Sequence, residues 1–285
     1  MVVREPQSAN DYDDRTTEAV KSVLIEIGQI LGSFAGKFAV VGGAVPWLLL
    51  READTPHIGT RDIDLSLHAE ALADGEYVRL VDALQAQGYR QRTGLRRFQL
   101  MRTVPARDAG RDIDVVVDFL MPRDAEIAKN DPPLISEFAV QRAFGVELAL
   151  QFSETVCLDG DMPDGGKNRV HIAVASIPAL LAMKGYAIDG RQKRKDAYDI
   201  YYCVRNFPGG LAALVAATSP LLEIETARQG YLLISTKFRH VDDFGPTNVR
   251  IFVEGSDALG DRTPDQWQQD SFGQVDIWLK RLGLR

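Results

Sequence analysis

The segment at residues 62–67, "DIDLSL", most constrains what this chain can fold into. Side chains of a β-strand alternate between two faces, so the pattern predicts a strand with Asp62, Asp64 and Ser66 on one face and apolar residues on the other. Aspartates are common at strand ends, where they cap turns and stay in water. Two carboxylates side by side repel each other, however, and a divalent cation such as Mg²⁺ relieves that repulsion. The segment therefore predicts either a solvated turn or a metal site.

The residues before this segment predict a helix, a short strand and a second helix. Apolar side chains recur at helical spacing from Val20 to Phe34, and "KFAVV" then reads as a buried strand that runs into Gly42 and Gly43. A helix follows, with Pro46 in its first turn, where proline is tolerated. The two glycines predict a tight turn. Because they lack Cβ atoms, they also let the backbone and the helix N-terminus approach an anion, and the two interpretations are compatible.

A further group of acidic residues lies in a predicted β-hairpin. Residues 95–102 and 111–120 are strand-like and are joined by the turn-rich "TVPARDAG". Alternation in the second strand places Asp114 and Asp118 on one face, which adds a third acidic position to the sheet. Packing does not explain this position. Both residues are candidates for the third carboxylate, and Asp118 is slightly favoured.

The rest of the sequence predicts a mixed α/β front half and a helical back half, and thus an α/β (α+β) fold. Short strands are expected in "VELALQF", "ETVCL" and "NRVHIAV", and helices from residue 176 almost to the end. Prolines near residues 122–136 indicate a loop or domain junction. We accordingly expect a mobile tail at 1–14, a core at 15–135 and a C-terminal domain at 136–285.

Composition narrows the class of protein. The 285 residues are 45% hydrophobic, which suits a globular core. No apolar run approaches the ~20 residues that span a bilayer, and the polar N-terminus does not resemble a signal peptide, so we expect a cytoplasmic protein without a membrane partner. The formal charge of −7 argues against non-specific coating of nucleic acid but leaves a local basic groove open. Cys157 and Cys203 are expected in the core, and the four histidines show no metal-ligand spacing.

Four motifs in this order resemble the nucleotidyltransferases of the DNA polymerase β superfamily, and within it the AbiEii/MenT-type toxins of bacterial toxin–antitoxin pairs. They are the Gly42–Gly43 turn, "TRDIDL", a hairpin ending in "VVDFLMP", and "LLAMKGYAI" followed by "RQKRKDAYDIYYCV". The resemblance covers roughly residues 20–206. Ala44 stands where many members carry serine, so backbone N–H groups would have to bind phosphate. The 18 residues between Gly43 and Asp62 fit the toxin branch better than the compact antibiotic-modifying enzymes.

The resemblance implies a two-metal site. Asp62 and Asp64 would hold one Mg²⁺ against a triphosphate, and both would join Asp118 or Asp114 around a second ion beside the attacking hydroxyl; Mn²⁺ is an alternative ion. Three carboxylates from adjacent strands agree with this, because Mg²⁺ takes few protein ligands and leaves room for substrate oxygens.

The resemblance also implies nucleotide contacts from other residues. They are Gly42, Gly43, Arg61, Lys184 and Lys195. Lys184 would reach the triphosphate from the C-terminal domain, although a lysine in an apolar helix ordinarily extends to the surface. Asp196 matches a functionally important aspartate of the toxin branch, and Asp199 lies three residues further on, where it could orient Lys184 or Lys195.

Basic residues are concentrated in "GRQKRK", with Arg191, Lys193, Arg194 and Lys195. Most charge runs are solvated surfaces. Next to the expected site, this run is a candidate for binding nucleotide or RNA phosphates.

The implied activity is transfer of a nucleoside monophosphate from an NTP to an acceptor. In the toxin branch the expected acceptor is the 3′ end of tRNA, and the expected protein partner is an antitoxin. Two alternatives stay open: adenylyl transfer to a small molecule or a protein hydroxyl, and a catalytically silent nucleotide-binding module.

Overall fold

The computed structural model describes residues 6–32, 36–68, 76–92, 95–96, 99–106, 110–124 and 140–285. These residues contain ten α-helices and seven strands of one mixed sheet, which confirms the predicted α+β class. The chain divides into two compact units. The first contains Asp14–Val45 and Gly59–Ala175, and the second contains residues 6–13, Pro46–Ile58 and Ser176–Arg285.

The first unit is built around the sheet. Its strands are β1 (Phe38–Val41), β2 (Asp62–Leu67), β3 (Gln99–Val104), β4 (Ile113–Pro122), β5 (Gln141–Ala143), β6 (Ser153–Asp161) and β7 (Lys167–Ala175). Their order is β3-β4-β2-β1-β7-β6, and β5 pairs with the end of β4. Strand β2 is antiparallel to β1 and parallel to β4, while β1 is parallel to β7. The predicted hairpin of β3 and β4 is confirmed.

Helices α1 (Asp14–Leu31), α2 (Ala44–Leu49), α3 (Glu76–Ala86) and α4 (Val146–Gln151) complete this part of the chain, with α2 continuing into the second unit. The apolar stripe of α1 is fully buried on the sheet. Arg102 on β3 donates to Glu26 of α1 at 2.9 and 3.0 Å and lies opposite Val115 of β4, so this sheet face carries α1. The acidic residues of β4 alternate with Val115 and Val117 and therefore lie on the other face.

The second unit is helical. Its helices are α5 (Ile177–Gly190), α6 (Arg194–Asn206), α7 (Gly210–Thr218), α8 (Glu225–Lys237), α9 (Phe244–Val253) and α10 (Pro264–Arg281). Helix α6 contacts α5, α7, α9 and α10, and its residues Lys195–Val204 are all buried. No helix among the described residues combines the length and apolar content that crossing a membrane requires.

The predicted boundary at residues 135 and 136 does not coincide with the division into units. The sheet continues past residue 135, because β7 pairs with β1 (Val40 opposite Val174), and the first unit extends to Ala175. In the predicted tail, at 1–14, the described residues include Tyr12, which packs edge-on against Phe252, and α1 begins at Asp14. Residues 125–139, which include most of the loop predicted at 122–136, lie outside the described residues.

Two local predictions are also wrong. The segment "VELALQ" forms helix α4 rather than a strand, since Gly145 adopts a left-handed conformation (φ 77°) that starts a helix with Val146, Leu148 and Ala149 buried. Cys203 is buried as expected, whereas Cys157 is exposed on β6, a strand at the edge of the sheet.

Candidate functional site

The acidic residues of β2 and β4 are brought together by strand register. The parallel pairing places Asp64 directly opposite Asp118, and Asp62 opposite Val116. Residues opposite each other project from the same face, so Asp62, Asp64 and Asp118 share the face that α1 does not cover. All three are partly exposed. The arrangement collects three negative charges on two adjacent strands, as the sequence predicts.

The register also separates the two candidates for the third carboxylate. Asp114 lies four residues before Asp118 on β4, about 13 Å along the strand. Its carboxylate accepts a hydrogen bond from Thr103 at 2.6 Å and forms an exposed ion pair with Arg92 at 3.4 Å. Asp118 is therefore the residue placed beside Asp64, and Asp114 belongs to the surface of the hairpin.

Gly42 lies next to the carboxylate of Asp64, because Val41, the preceding residue on β1, is opposite Asp64 of β2. Its φ of +70° is in the left-handed region, and a Cβ added there would lie 1.9 Å from Oδ2 of Asp64. Only glycine therefore fits both the turn and the close approach of the carboxylate. The predicted glycine turn and the predicted acidic strand thus form one local structure, with α2 beginning at Ala44 directly after Gly43.

Neighbouring polar side chains hold two of the carboxylates. Thr60 donates to Oδ1 of Asp62 at 2.9 Å, and Gln99 donates to Oδ1 of Asp118 at 2.9 Å. In this conformation no three His, Cys, Asp or Glu side chains of the described residues lie close enough together to enclose a metal ion. The chemistry of these side chains nevertheless suits Mg²⁺, because this ion prefers oxygen ligands. The carboxylates lie on one face of the sheet, beside the Gly42–Gly43 turn, which has no Cβ atoms. Asp62, Asp64 and Asp118 are the residues that would hold the ion.

The second unit contains a separate buried cluster of charged side chains, formed by α5 and α6. Lys184, 5% exposed, places Nζ 2.7 Å from Oδ1 of Asp196 and 2.7 Å from Oδ2 of Asp199. Both carboxylates are fully buried. The ordinary expectation that Lys184 extends to the surface is therefore wrong, and Asp199 does contact it.

Two more basic residues complete this cluster. Lys195 contacts both oxygens of Asp199, at 2.9 and 3.2 Å. Arg191 donates through Nε and Nη2 to the two oxygens of Asp196, at 2.8 and 3.0 Å. Two of the four residues of the predicted basic run, Arg191 and Lys195, therefore neutralise carboxylates of their own unit. The other two, Lys193 and Arg194, are partly exposed, and Arg194 donates to the backbone oxygen of Gln7 at 3.3 Å.

The charged groups in this cluster shift one another's pKa values. Burial alone raises the pKa of the Asp199 carboxyl, but Lys184 and Lys195 outweigh it and hold the pKa well below its ordinary value. Burial likewise lowers the pKa of Lys184, but Asp196 and Asp199 reverse this and raise it. For Lys195, burial and the charge of Lys184 outweigh Asp199, so its pKa lies below the ordinary value. The cluster therefore holds Lys184 firmly as a cation.

Sequence reasoning missed His57, which also belongs to this cluster. Its Nε2 lies 3.0 Å from Oδ1 of Asp199, and the residue is 8% exposed. Burial and the charge of Lys195 lower the pKa of His57 to about 4, although Asp199 opposes them. The residue lies 142 positions from its partner, and no spacing in the sequence links the two.

Arg61, the remaining predicted nucleotide contact, is exposed just before β2. Comparison with models of known protein families gives no match to this chain, and comparison with curated proteins gives none either. The assignment to the nucleotidyltransferases thus stays a prediction from the four motifs.

Proposed function

We propose that this protein is a metal-dependent nucleotidyltransferase that moves a nucleoside monophosphate from an NTP to an acceptor hydroxyl. The observation that carries the proposal is the register of β2 and β4, which places Asp64 beside Asp118 on the face that also carries Asp62. The approach of Asp64 to the Gly42 turn, where a Cβ would lie 1.9 Å from its oxygen, supports the same assignment. Structural aspartates at strand ends do not require such a paired arrangement.

In the proposed reaction, an oxygen of the acceptor attacks the α-phosphorus of the NTP, the bond to the bridging oxygen breaks, and pyrophosphate leaves. Mg²⁺, when bound, neutralises the charge that develops on the phosphate oxygens. Asp118 lies on the neighbouring strand to Asp64 and is the carboxylate assigned to accept the hydroxyl proton. The backbone N–H groups of the Gly42–Gly43 turn are assigned to the phosphate oxygens, a role that Ala44, which has no hydroxyl, cannot take with its side chain.

Lys184 is assigned to the triphosphate, as the motif resemblance implies. An ammonium group has three N–H donors, and two of those of Lys184 are directed at Asp196 and Asp199. The third can serve a phosphate oxygen. The two carboxylates keep the lysine charged in a buried position, where an isolated ammonium would tend to lose its proton.

The acceptor is assigned as RNA, with the 3′ end of tRNA as the expected substrate, and the protein as the toxin of a toxin–antitoxin pair. This part of the proposal rests on the resemblance of the four motifs to the AbiEii/MenT-type branch.

The test is incubation of the protein with each α-labelled NTP, Mg²⁺ and either total RNA or protein extract. Label in RNA that disappears in Asp64→Asn but persists in Asp114→Asn is the expected result. Label in protein would instead indicate adenylyl transfer to a protein. A rise in melting temperature with NTP and Mg²⁺, without any labelling, would indicate a silent nucleotide-binding module.

A further inference from the structure

His57 contacts the carboxylate that both buried lysines share. An ionised carboxylate can only accept hydrogen bonds, so Nε2 of His57 carries the hydrogen and donates it to Oδ1 of Asp199 over 3.0 Å. Each oxygen of Asp199 then has two donors: His57 and Lys195 at Oδ1, and Lys184 and Lys195 at Oδ2. With its donors on both sides, the carboxylate is held in one orientation.

The imidazole ring is itself held in place. Tyr202 meets it edge-on with ring centroids 4.8 Å apart, and Tyr198 lies on another side at 5.6 Å. The hydroxyl of Tyr202 donates to the backbone carbonyl of Thr55 at 2.8 Å, which anchors the segment that carries His57. The ring is thus fixed before it donates to Asp199.

The charge of the cluster explains why a neutral donor is needed here. The charged groups that face His57 are Lys184 on α5 and Lys195 and Asp199 on α6. Asp199 already compensates two ammonium groups, and a third cation at Oδ1 would be repelled by both. A neutral imidazole satisfies the oxygen without adding charge.

We infer that His57 is a positioning residue, which orients Asp199 and through it the ammonium groups of Lys184 and Lys195 for binding the triphosphate. The triphosphate part of this inference rests on the proposed function, whereas the orientation of the lysines does not. Without His57, Oδ1 keeps only Lys195 as a donor, and the carboxylate can turn about its Cβ–Cγ bond. Lys184 then keeps a fixed acceptor only at Asp196, and its contact with Asp199 shifts with that carboxylate.

The test compares His57→Phe, which keeps an aromatic ring but no donor, with His57→Gln, whose amide nitrogen can replace Nε2. Tyr202→Phe is the matched control, because it removes the anchor at Thr55 without touching Asp199. The first measurement is the ¹H–¹⁵N spectrum of the lysine ammonium groups, in which Lys184 and Lys195 are expected to give slowly exchanging signals. The second is the dissociation constant for each of the four ribonucleoside triphosphates with Mg²⁺.

We expect His57→Phe to lose the slowly exchanging signals and to bind its NTP about tenfold more weakly, with both properties restored in His57→Gln. Unchanged signals and affinity in His57→Phe would overturn the inference. Failure of His57→Gln to restore both properties would overturn it as well, since the donor at Oδ1 would then not be what holds Asp199. Tyr202→Phe, which keeps that donor, should lose less than His57→Phe. If the parent protein binds no NTP, the proposed function fails, and the ammonium signals alone decide whether His57 orients the lysines.

Discussion

At the scale of single residues, burial changes what a charged side chain can do. Lysine and aspartate side chains are normally exposed to water. In the second unit, however, Lys184, Asp196 and Asp199 are buried. Removing one member of such a cluster leaves a buried charge without compensation, which is strongly destabilising. Substitutions that preserve the charge balance are therefore the informative ones.

Protonation of His57 is expected to lower the free energy of unfolding in mild acid. Its pKa is about 4 in the folded protein and near 6.5 in the unfolded chain, so between these values the unfolded state binds more protons. Stability should fall by roughly 3 kcal/mol as the pH decreases from about 6.5 to 4. Urea denaturation at a series of pH values measures this slope.

The controls for this acid effect are His57→Gln, which does not titrate, and His240→Gln, which removes an exposed histidine. The first should flatten the slope and the second should not. Asp196 and Asp199, whose pKa values lie below the ordinary range, contribute their own loss only at pH values below about 4. An equal slope in the parent and in His57→Gln would assign the acid effect to other groups.

The carboxylates of the sheet give a second prediction at this scale. Asp118→Asn should reduce nucleotidyl transfer about as severely as Asp64→Asn, because the two lie opposite each other. Asp114→Asn should retain most activity, since Asp114 pairs with Thr103 and Arg92 at the hairpin surface. Initial rates with the labelled NTP and its acceptor provide the measurement. Equal, mild losses at Asp114 and Asp118 would mean that the register does not identify the third carboxylate.

At the scale of elements, helices α5 and α8 cross at two glycines. A Cβ at Gly185 would lie 1.8 Å from the backbone oxygen of Gly230, and one at Gly230 would lie 2.3 Å from that of Ala182. Backbone atoms cannot move aside as the end of a side chain can. Because the two helices pack this closely, the position of α5 is fixed, and so is the backbone of Lys184, which directly precedes Gly185.

Gly185→Ala should therefore destabilise the second unit by roughly 3 kcal/mol or more, through forced separation of α5 and α8. Gly273→Ala is the matched control within helix α10, because nothing lies within 4 Å of its added Cβ. It should be neutral or stabilise by about 0.5 to 1 kcal/mol, as expected for replacing a helical glycine. Thermal and urea denaturation compare the two variants, and similar stabilities would contradict the assigned clash.

Most elements could be predicted from the sequence, because helix and strand periods are local. The strand at 62–67, the hairpin and helix α1 follow directly from alternation or helical spacing. Helix α4 could not be predicted: "VELALQ" is a short apolar run whose period does not distinguish a strand from a helix. The left-handed conformation of Gly145 and the burial of Val146 favour the helix.

At the scale of the whole molecule, the formal charge of −7 makes any binding of RNA depend on local basic residues. Arg191 and Lys195 are engaged by Asp196 and Asp199, so the test is made on Lys193 and Arg194, which belong to the same basic run and are partly exposed. Replacing both with alanine should weaken RNA binding at low salt and, if each contacts one phosphate, reduce the salt slope by about 1.4 to 1.8, given roughly 0.7 to 0.9 per phosphate contact.

The control for this experiment is the pair Arg239→Ala and Arg281→Ala, which removes the same charge from exposed positions outside the basic run. NTP binding without RNA should stay near that of the parent in both double variants. If the RNA affinity and salt slope are the same in both, the basic run is a solvated surface, and a small-molecule or protein acceptor becomes the better assignment.

The sequence by itself determined which side chains share a face of a strand or helix, because backbone geometry sets those periods over a few residues. It thereby predicted the acidic strand, the glycine turn and the acidic hairpin. Only the tertiary structure decided which distant segments meet: β7 pairs with β1, Asp118 rather than Asp114 lies opposite Asp64, and His57 reaches Asp199 across 142 positions. Such pairings depend on strand register and on packing of the whole chain, and no local pattern encodes them.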